Sequence, residues 1–227
     1  GFRDVLELRR RDRPHLYGLT GSYEPLIPRD RRLEVDERIS AQGEVLVPLI
    51  EDEVVSAGER LVAAGVEGIV VAFLNSYANV AHEREAKAIL ERHWPDIYVV
   101  ASAEILPVFR EFERTSTAVV NAYVQPVVSR YLAHLEDRLS SSGYCRDLLI
   151  VQSNGGMLSS RAARNLAVGT ILSGPAGGVI AATRIAAESG TRNLIATIWG
   201  GPVSMFHWCW MGNPLLRTVP NWTSVCR

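Results

Sequence analysis

Two short apolar runs, Glu67–Phe73 and Ile97–Ala101, each follow an amphipathic stretch, and this alternation constrains the fold more than any other feature of the chain. Glu51–Ala64 places Val54, Val55, Leu61 and Val62 at helical spacing and ends at Gly65, a residue suited to a C-cap. Ala81–His93 repeats the pattern, with Ala86, Ile89 and Leu90 facing inward. Together they predict an α/β unit that closes near Pro107. The stretch up to Pro48 is less regular; Leu33–Val35 and Glu44–Val47 read as short strands around a turn at Gln42–Gly43.

A long helical region follows from Thr115 to Leu139, because Val119, Val120, Tyr123, Val127, Val128, Tyr131, Leu132 and Leu135 recur at three and four residues. Pro126 has no amide hydrogen, which predicts a kink or the start of a second helix there. Ser140–Tyr144 reads as a polar turn and Leu148–Val151 as a strand running into Gln152–Gly156. Gly169–Leu172 leads into Ser173–Gly178 and a helix to about Ser189, closed by Gly190, before a strand at Asn193–Thr197.

At Trp199 the character of the chain changes. Residues 199–227 hold four of the five Trp and two of the three Cys, with no Asp, Glu or Lys. A break this abrupt points to a reading-frame slip. Back-translating Thr197–Trp208 with permitted codons and moving the frame by one base gives Asp-Met-Gly-Gly-Thr-Ser-Phe-Asp-Val-Ser-Leu, and the continuation can read Val-Leu-Asp-Gly. That is a strand, a glycine-rich phosphate loop and a second strand. The expectation is an out-of-frame tail from 198 to 227 on a chain whose parent bound a nucleotide. The start at Gly1, without Met, carries the further expectation that the N-terminal part is missing.

The in-frame part is long enough for one large or two small domains. With 24 Lys+Arg against 25 Asp+Glu the net charge is −1, and no basic patch carries interleaved aromatics, so no nucleic-acid partner is indicated. No run approaches the roughly 18 apolar residues of a membrane span, and no signal peptide is visible. Cys145 alone precedes the tail, which fits a reducing cytoplasm rather than a disulfide framework. Lys87 is the single lysine among many arginines, a bias expected of a GC-rich, bacterial gene.

Three segments are candidates for chemistry. In Ser173-Gly174-Pro175-Ala176-Gly177-Gly178, Pro175 suits a first helical turn, and the glycines admit a ligand to backbone amides at the positive end of a helix. Anion binding and tight helix packing on a sheet are equally open readings of Gly177 and Gly178. Ser153, Asn154, Gly155 and Gly156 follow a strand, where open α/β sheets place ligands, yet Asn-Gly is also an ordinary turn. Arg110–Thr117 puts Glu113 and Arg114 just ahead of a helix, either toward a ligand or in a solvated helix start with weak ion pairs. His15, His82, His93 and His134 form no metal-ligand spacing, and His82-Glu83 reads as a surface feature. Neither Ser153 nor Ser173 sits in a Gly-x-Ser-x-Gly elbow, so a serine hydrolase is not indicated.

Taken in order, the segments resemble the hydantoinase A/5-oxoprolinase family, of the bacterial N-methylhydantoinase A type. The resemblance is carried by Gly1–Glu7, Arg13–Tyr17, Glu34–Arg38, Ser76-Tyr77 with Ala81-His82-Glu83, Glu104–Pro107 with Arg110–Thr117, Asn121-Ala122-Tyr123, Gln152–Gly156 and Ser173–Gly178. It covers essentially all of residues 1–197, and the shifted-frame Asp-Met-Gly-Gly-Thr-Ser is what the family carries next. The resemblance implies an incomplete α/β fold of the actin-like (sugar kinase/Hsp70) ATPase type. Residues 1–107 would be the later part of the N-terminal domain, 108–197 the start of the hydantoinase A/oxoprolinase domain, and 198–227 the tail.

The implied activity is ATP-dependent opening of a small cyclic amide or imide such as 5-oxoproline or a hydantoin, with Mg²⁺ and a hydantoinase B-type partner subunit. The alternatives are an ATP-using subunit of an acetone or acetophenone carboxylase, or an inactive pseudogene product. The family's first Asp-x-Gly-Gly-Thr loop would precede Gly1. At the second, Ile198-Trp199-Gly200-Gly201-Pro202 exchanges the Asp for Ile and the Thr for Pro. Loss of both loops carries the expectation that this polypeptide binds no ATP or Mg²⁺ itself.

Overall fold

In a computed structural model the described residues are 3–10, 24–191, 193–200, 203–210 and 213–218; for 193 and from 198 onward the description is of the backbone. Arg13–Tyr17 with His15, and the tail's aromatic side chains, lie outside the described residues. The chain divides into two compact units, residues 1–130 and 131–227.

The first unit begins with α1 (Val5–Leu8) and a two-stranded antiparallel ribbon, β1 (Arg38–Ile39) with β2 (Val45–Val47). The first strand of the ribbon lies after Leu33–Val35 rather than on it. The tight reversal at Gly43, which holds a positive φ of 86°, brings Ser40 N–H to Glu44 O at 2.8 Å and thereby sets the register. Then come α2 (Glu51–Ala63), β3 (Gly68–Val71), α3 (Ala81–His93) and β4 (Tyr98–Ala101). β3 and β4 pair in parallel, Gly68 opposite Tyr98 through Val71 opposite Ala101, as the βα repetition predicts. Val54 of α2 and Ala86, Ile89 and Leu90 of α3 bury against Ile69, Val71 and Val99 to make the core. The two helices approach so closely at Gly58 that a Cβ there would collide with Trp94 Cζ3 and stand 2.7 Å from Trp94 Cη2.

A short α4 (Ser102–Ile105), which periodicity does not foresee, turns the chain into α5 (Glu111–Ser141). The helix runs through Pro126, so no second helix starts there.

In the second unit β5 (Leu149–Val151) and β6 (Met157–Ser159) form an antiparallel hairpin, followed by α6 (Ser160–Asn165), a 3₁₀ turn at Ala167–Thr170 and α7 (Ser173–Glu188). Ser159 Oγ accepts from Ala162 N–H and caps α6. Glu136 of α5 accepts hydrogen bonds from Ser160 and Arg164, which fixes the start of α6. β7 (Asn193–Gly200), β8 (Val203–Trp210) and β9 (Asn213–Thr218) make an antiparallel sheet, with β7 running three residues past the predicted Thr197. No helix among the described residues is long and apolar enough to cross a membrane.

Candidate functional site

The candidate loops of the second unit come together locally. Gln152–Gly156 is the turn of the β5–β6 hairpin: Gln152 N–H donates to Gly156 O at 2.8 Å, and Gly155 N–H to Gln152 O at 3.0 Å. Asn154 Oδ1 accepts from Gly156 N–H at 2.8 Å, an Asx-type closure that occupies the side-chain oxygen. Gly155 has φ +85°, and a Cβ on it would lie 2.8 Å from Ile180 Cδ1 of α7. Ser153 N–H reaches Gly169 O at 2.7 Å. One backbone hydrogen bond and one glycine contact therefore hold the hairpin turn against the 3₁₀ segment and helix that carry Ser173–Gly178. Both candidate loops belong to one cluster, with Ser153 and Asn154 exposed.

α7 begins from Leu172, a non-glycine residue in the left-handed region at φ 63°. Its first-turn amides at Ser173 and Gly174 have no intrahelical acceptor, as at any helix start, and Pro175 has no amide hydrogen. Nothing lies within 4 Å of the Cβ positions of Gly174 or Gly177. The backbone there is open to an approaching anion, and the dipole of a 16-residue helix favours one. This fits a phosphate. Among the described residues no three His, Cys, Asp or Glu side chains converge.

Glu113 and Arg114 lie in the first unit, at the start of α5. Arg114 is fully buried and donates to Phe73 O at 2.6 Å, Val108 O at 3.3 Å and Ser102 Oγ at 3.0 Å. Ser102 Oγ in turn donates to Glu83 Oε1 at 2.7 Å, and Glu83 also accepts from Phe73 N–H and Ala103 N–H. These groups sit just past the carboxyl ends of β3 and β4 and lock the two strand-end loops to α5. Glu113 pairs with Arg10; burial pushes its carboxyl up, but a backbone hydrogen bond and the Arg10 guanidinium outweigh that and leave it below the usual range.

Sequence reasoning missed Glu83 and Ser102, and it mistook His82-Glu83 for a surface feature. Both residues are buried, His82 holding Glu37 at 2.8 Å through Nδ1. The signal was present: His82 is four residues before Ala86, on the face that also carries Ile89 and Leu90. Glu104, another family-motif residue, bridges Lys87 and Arg84. Partial burial raises its pKa and these cations lower it further, so the net direction is down.

Residues 1–94 match the hydantoinase/oxoprolinase N-terminal region and residues 114–202 the hydantoinase/oxoprolinase domain. The chain belongs to the hydantoinase/oxoprolinase family. An uncharacterised protein of Methanocaldococcus jannaschii is 39% identical over 88% of this chain and 30% of its own length. Caprolactamase subunit alpha of Pseudomonas jessenii is 34% identical over 88% of the chain and 29% of its own length. The solved structure of that organism's ATP-dependent caprolactamase superposes with TM-score 0.73 at 30% identity, over 92% of this chain and 30% of that one. Nucleotide-free acetone carboxylase superposes with TM-score 0.85 at 28% identity, over 96% and 34%. The fold is thus the α/β fold of these enzymes, and the chain spans about three tenths of the length of the curated relatives it matches.

Proposed function

We propose that this chain is a segment of an ATP-dependent amidohydrolase that opens small cyclic amides or imides of the 5-oxoproline or hydantoin type. The observation that carries the reading is the pair of segments in the second unit, the Ser153–Gly156 turn held to Gly169 and to Ile180 of α7, whose start leaves the Ser173 and Gly174 amides free and has open space at Gly174 and Gly177. An open helix start suits phosphate oxygens, and exposed Ser153 and Asn154 offer donors beside it. ATP supplies phosphoryl activation of an amide-type oxygen, which makes an inert ring one that water can open. A lactam-opening relative, caprolactamase, supports the substrate class. Arg114 acts as a positioning residue, since its guanidinium is spent within the protein, and Glu113 stands beside it at the surface.

The domain division at 107 and 197, an Mg²⁺ requirement and a hydantoinase B-type partner subunit belong to the same reading. So does the tail: the match to the second family domain stops at residue 202, where the composition has just changed. With Ile198 and Pro202 in place of the loop's Asp and Thr, the polypeptide as it stands is expected to hydrolyse no ATP. A second reading, an ATP-using subunit of a ketone carboxylase, is favoured by the superposition on acetone carboxylase. Equilibrium binding of an ATP analogue to the product of the frame-restored gene tests the site. Gly174→Val and Gly177→Val should each weaken it about tenfold or more, the equivalent of roughly 1.4 kcal/mol. Unchanged binding in both variants would remove α7 from the nucleotide site.

A further inference from the structure

The first unit carries a second concave site, at the opposite edge of the β3–β4 pair from the Glu83–Ser102–Arg114 network. A cleft of about 350 Å³ opens where the two parallel strands begin, with Ile97 and Pro126 among its apolar walls and Glu67, Asp96 and Arg130 at its rim. Its volume is that of a small-molecule site. Many of the chain's charged side chains are paired, as Arg29 is with Asp4, Arg32 with Glu7, and Lys87 and Arg84 with Glu104. Glu67, Asp96 and Arg130 have no such partner among the described residues. Two carboxylates and one guanidinium thus face one small cavity, all three exposed and uncommitted.

The helix that forms one wall sorts these charges. Pro126 has no amide hydrogen to return to the Ala122 carbonyl. That carbonyl oxygen faces Gly68, 3.9 Å from where a Cβ on the glycine would stand. The carboxylate end, with Glu67 and Asp96, therefore lies toward the strand starts, where Gly68 meets α5 at Ala122. Arg130 lies one helical turn beyond Pro126, about 6 Å farther along the axis. A ligand that satisfies both ends carries an ammonium and a carboxylate separated by several methylenes, and the apolar wall between accepts the methylenes.

We propose that this cleft binds a short ω-amino carboxylate, with its ammonium on Glu67 and Asp96 and its carboxylate on Arg130. The charge arrangement alone selects this class. That such a molecule is also what remains when a lactam ring opens rests on the function proposed above; on that reading the cleft is a product-sensing site away from the nucleotide loops.

The test is calorimetric titration of the 227-residue chain with 6-aminohexanoate, against hexylamine and hexanoate as single-charge controls. The zwitterion should bind roughly tenfold or more tightly than either control, since each end adds a charge-assisted contact. Arg130→Ala should reduce it to the level of hexylamine, and the double variant Glu67→Gln with Asp96→Asn to the level of hexanoate. All three positions are exposed, so thermal melts of the variants should match the parent. Ring resonances of Tyr98, which lines the cleft, should shift on addition of the zwitterion in the parent only. Binding no tighter than that of hexylamine, binding indifferent to both substitutions, or no binding at millimolar concentration overturns the proposal. Nucleotide turnover plays no part in the measurement, so a negative result here leaves the ring-opening function standing. Positive binding with no ATP-dependent ring opening would instead retain the cleft and reject the function.

Discussion

Ser102 Oγ donates to Glu83 Oε1 at 2.7 Å and accepts from Arg114 Nε at 3.0 Å, so one hydroxyl joins a fully buried carboxylate to a fully buried guanidinium. Burying each charge alone is costly, and the network offsets that cost only while every lone pair and N–H has its partner. Glu83 accepts three hydrogen bonds, and Arg114 donates to Phe73 O, Val108 O and Ser102 and pairs with Glu111 at 3.8 Å. Glu83→Ala leaves the Ser102 hydroxyl and the Phe73 and Ala103 amides without their acceptor beside a buried guanidinium, and should cost about 3–5 kcal/mol. Ser102→Ala should cost about 1–3 kcal/mol. Urea denaturation reads both, and a loss below about 1 kcal/mol for Glu83→Ala would show that the charges are not held as described.

The glycines of the two candidate loops should separate by mechanism. At Gly155 the φ of +85° and the nearby Ile180 Cδ1 both resist a side chain, so Gly155→Ala should destabilise by about 1–2 kcal/mol. Gly174 and Gly177 are helical, with open space around their Cβ positions. Alanine there should leave stability unchanged or raise it by about 0.5–1 kcal/mol. Thermal melts of the three variants, run side by side, distinguish a packing glycine from one kept for access.

Gly58→Ala should overpack the α2–α3 contact. The added methyl would collide with Trp94 Cζ3 and meet Trp94 Cη2 at 2.7 Å and Leu90 Cδ2 at 2.8 Å, and an indole packed beside the core has little room to retreat. A loss of about 1–3 kcal/mol in denaturation is expected. A neutral outcome would place Trp94 elsewhere.

Acid should weaken the contact between α3 and α4. Burial raises the Glu104 pKa, but Lys87 and Arg84 hold it below the ordinary glutamate range. A depressed folded-state pKa adds stability that is complete above the unfolded value and disappears as pH falls through the folded one. Lys87→Met should therefore destabilise at neutral pH by an amount that shrinks as the pH drops below the glutamate range. A pH series of melts on parent and variant reads the difference, and a gap independent of pH would contradict it.

Legibility followed the kind of signal each element carries. α2, α3, β3 and β4 were readable because a single buried face imposes period 3.6 or a short apolar run, and the parallel pairing followed from their alternation. α4, β6 and α6 span six residues or fewer, too short for periodicity, and Ser159 capping α6 is a local signal that ordinary turns share. Of the two expectations at Pro126 a second helix start does not occur, because packing of the flanking turns can outweigh one missing hydrogen bond. In the candidate site, the glycine-rich loops were visible as residue types, whereas their meeting through Ser153 and Gly169 is a tertiary fact that no spacing encodes. The burial of Arg114 and Glu83 was not legible because composition cannot reveal that two distant charged residues share one buried hydroxyl.

The tail makes a genetic prediction. Resequencing the codons for Leu194–Gly201 should reveal one missing or extra base, restoring Asp-Met-Gly-Gly-Thr-Ser in place of the stretch from Ile198. An unshifted frame would leave this polypeptide without that loop and make it a product lacking catalysis.

ADP release by the product of the frame-restored gene, assayed with 5-oxoproline, hydantoin and caprolactam against acetone and acetophenone, tests the proposed function most directly. Ring opening predicts ADP release stimulated by at least one cyclic amide, with the ring-opened acid formed in step and no response to either ketone. Stimulation by a ketone alone, or by none of the five, would contradict it.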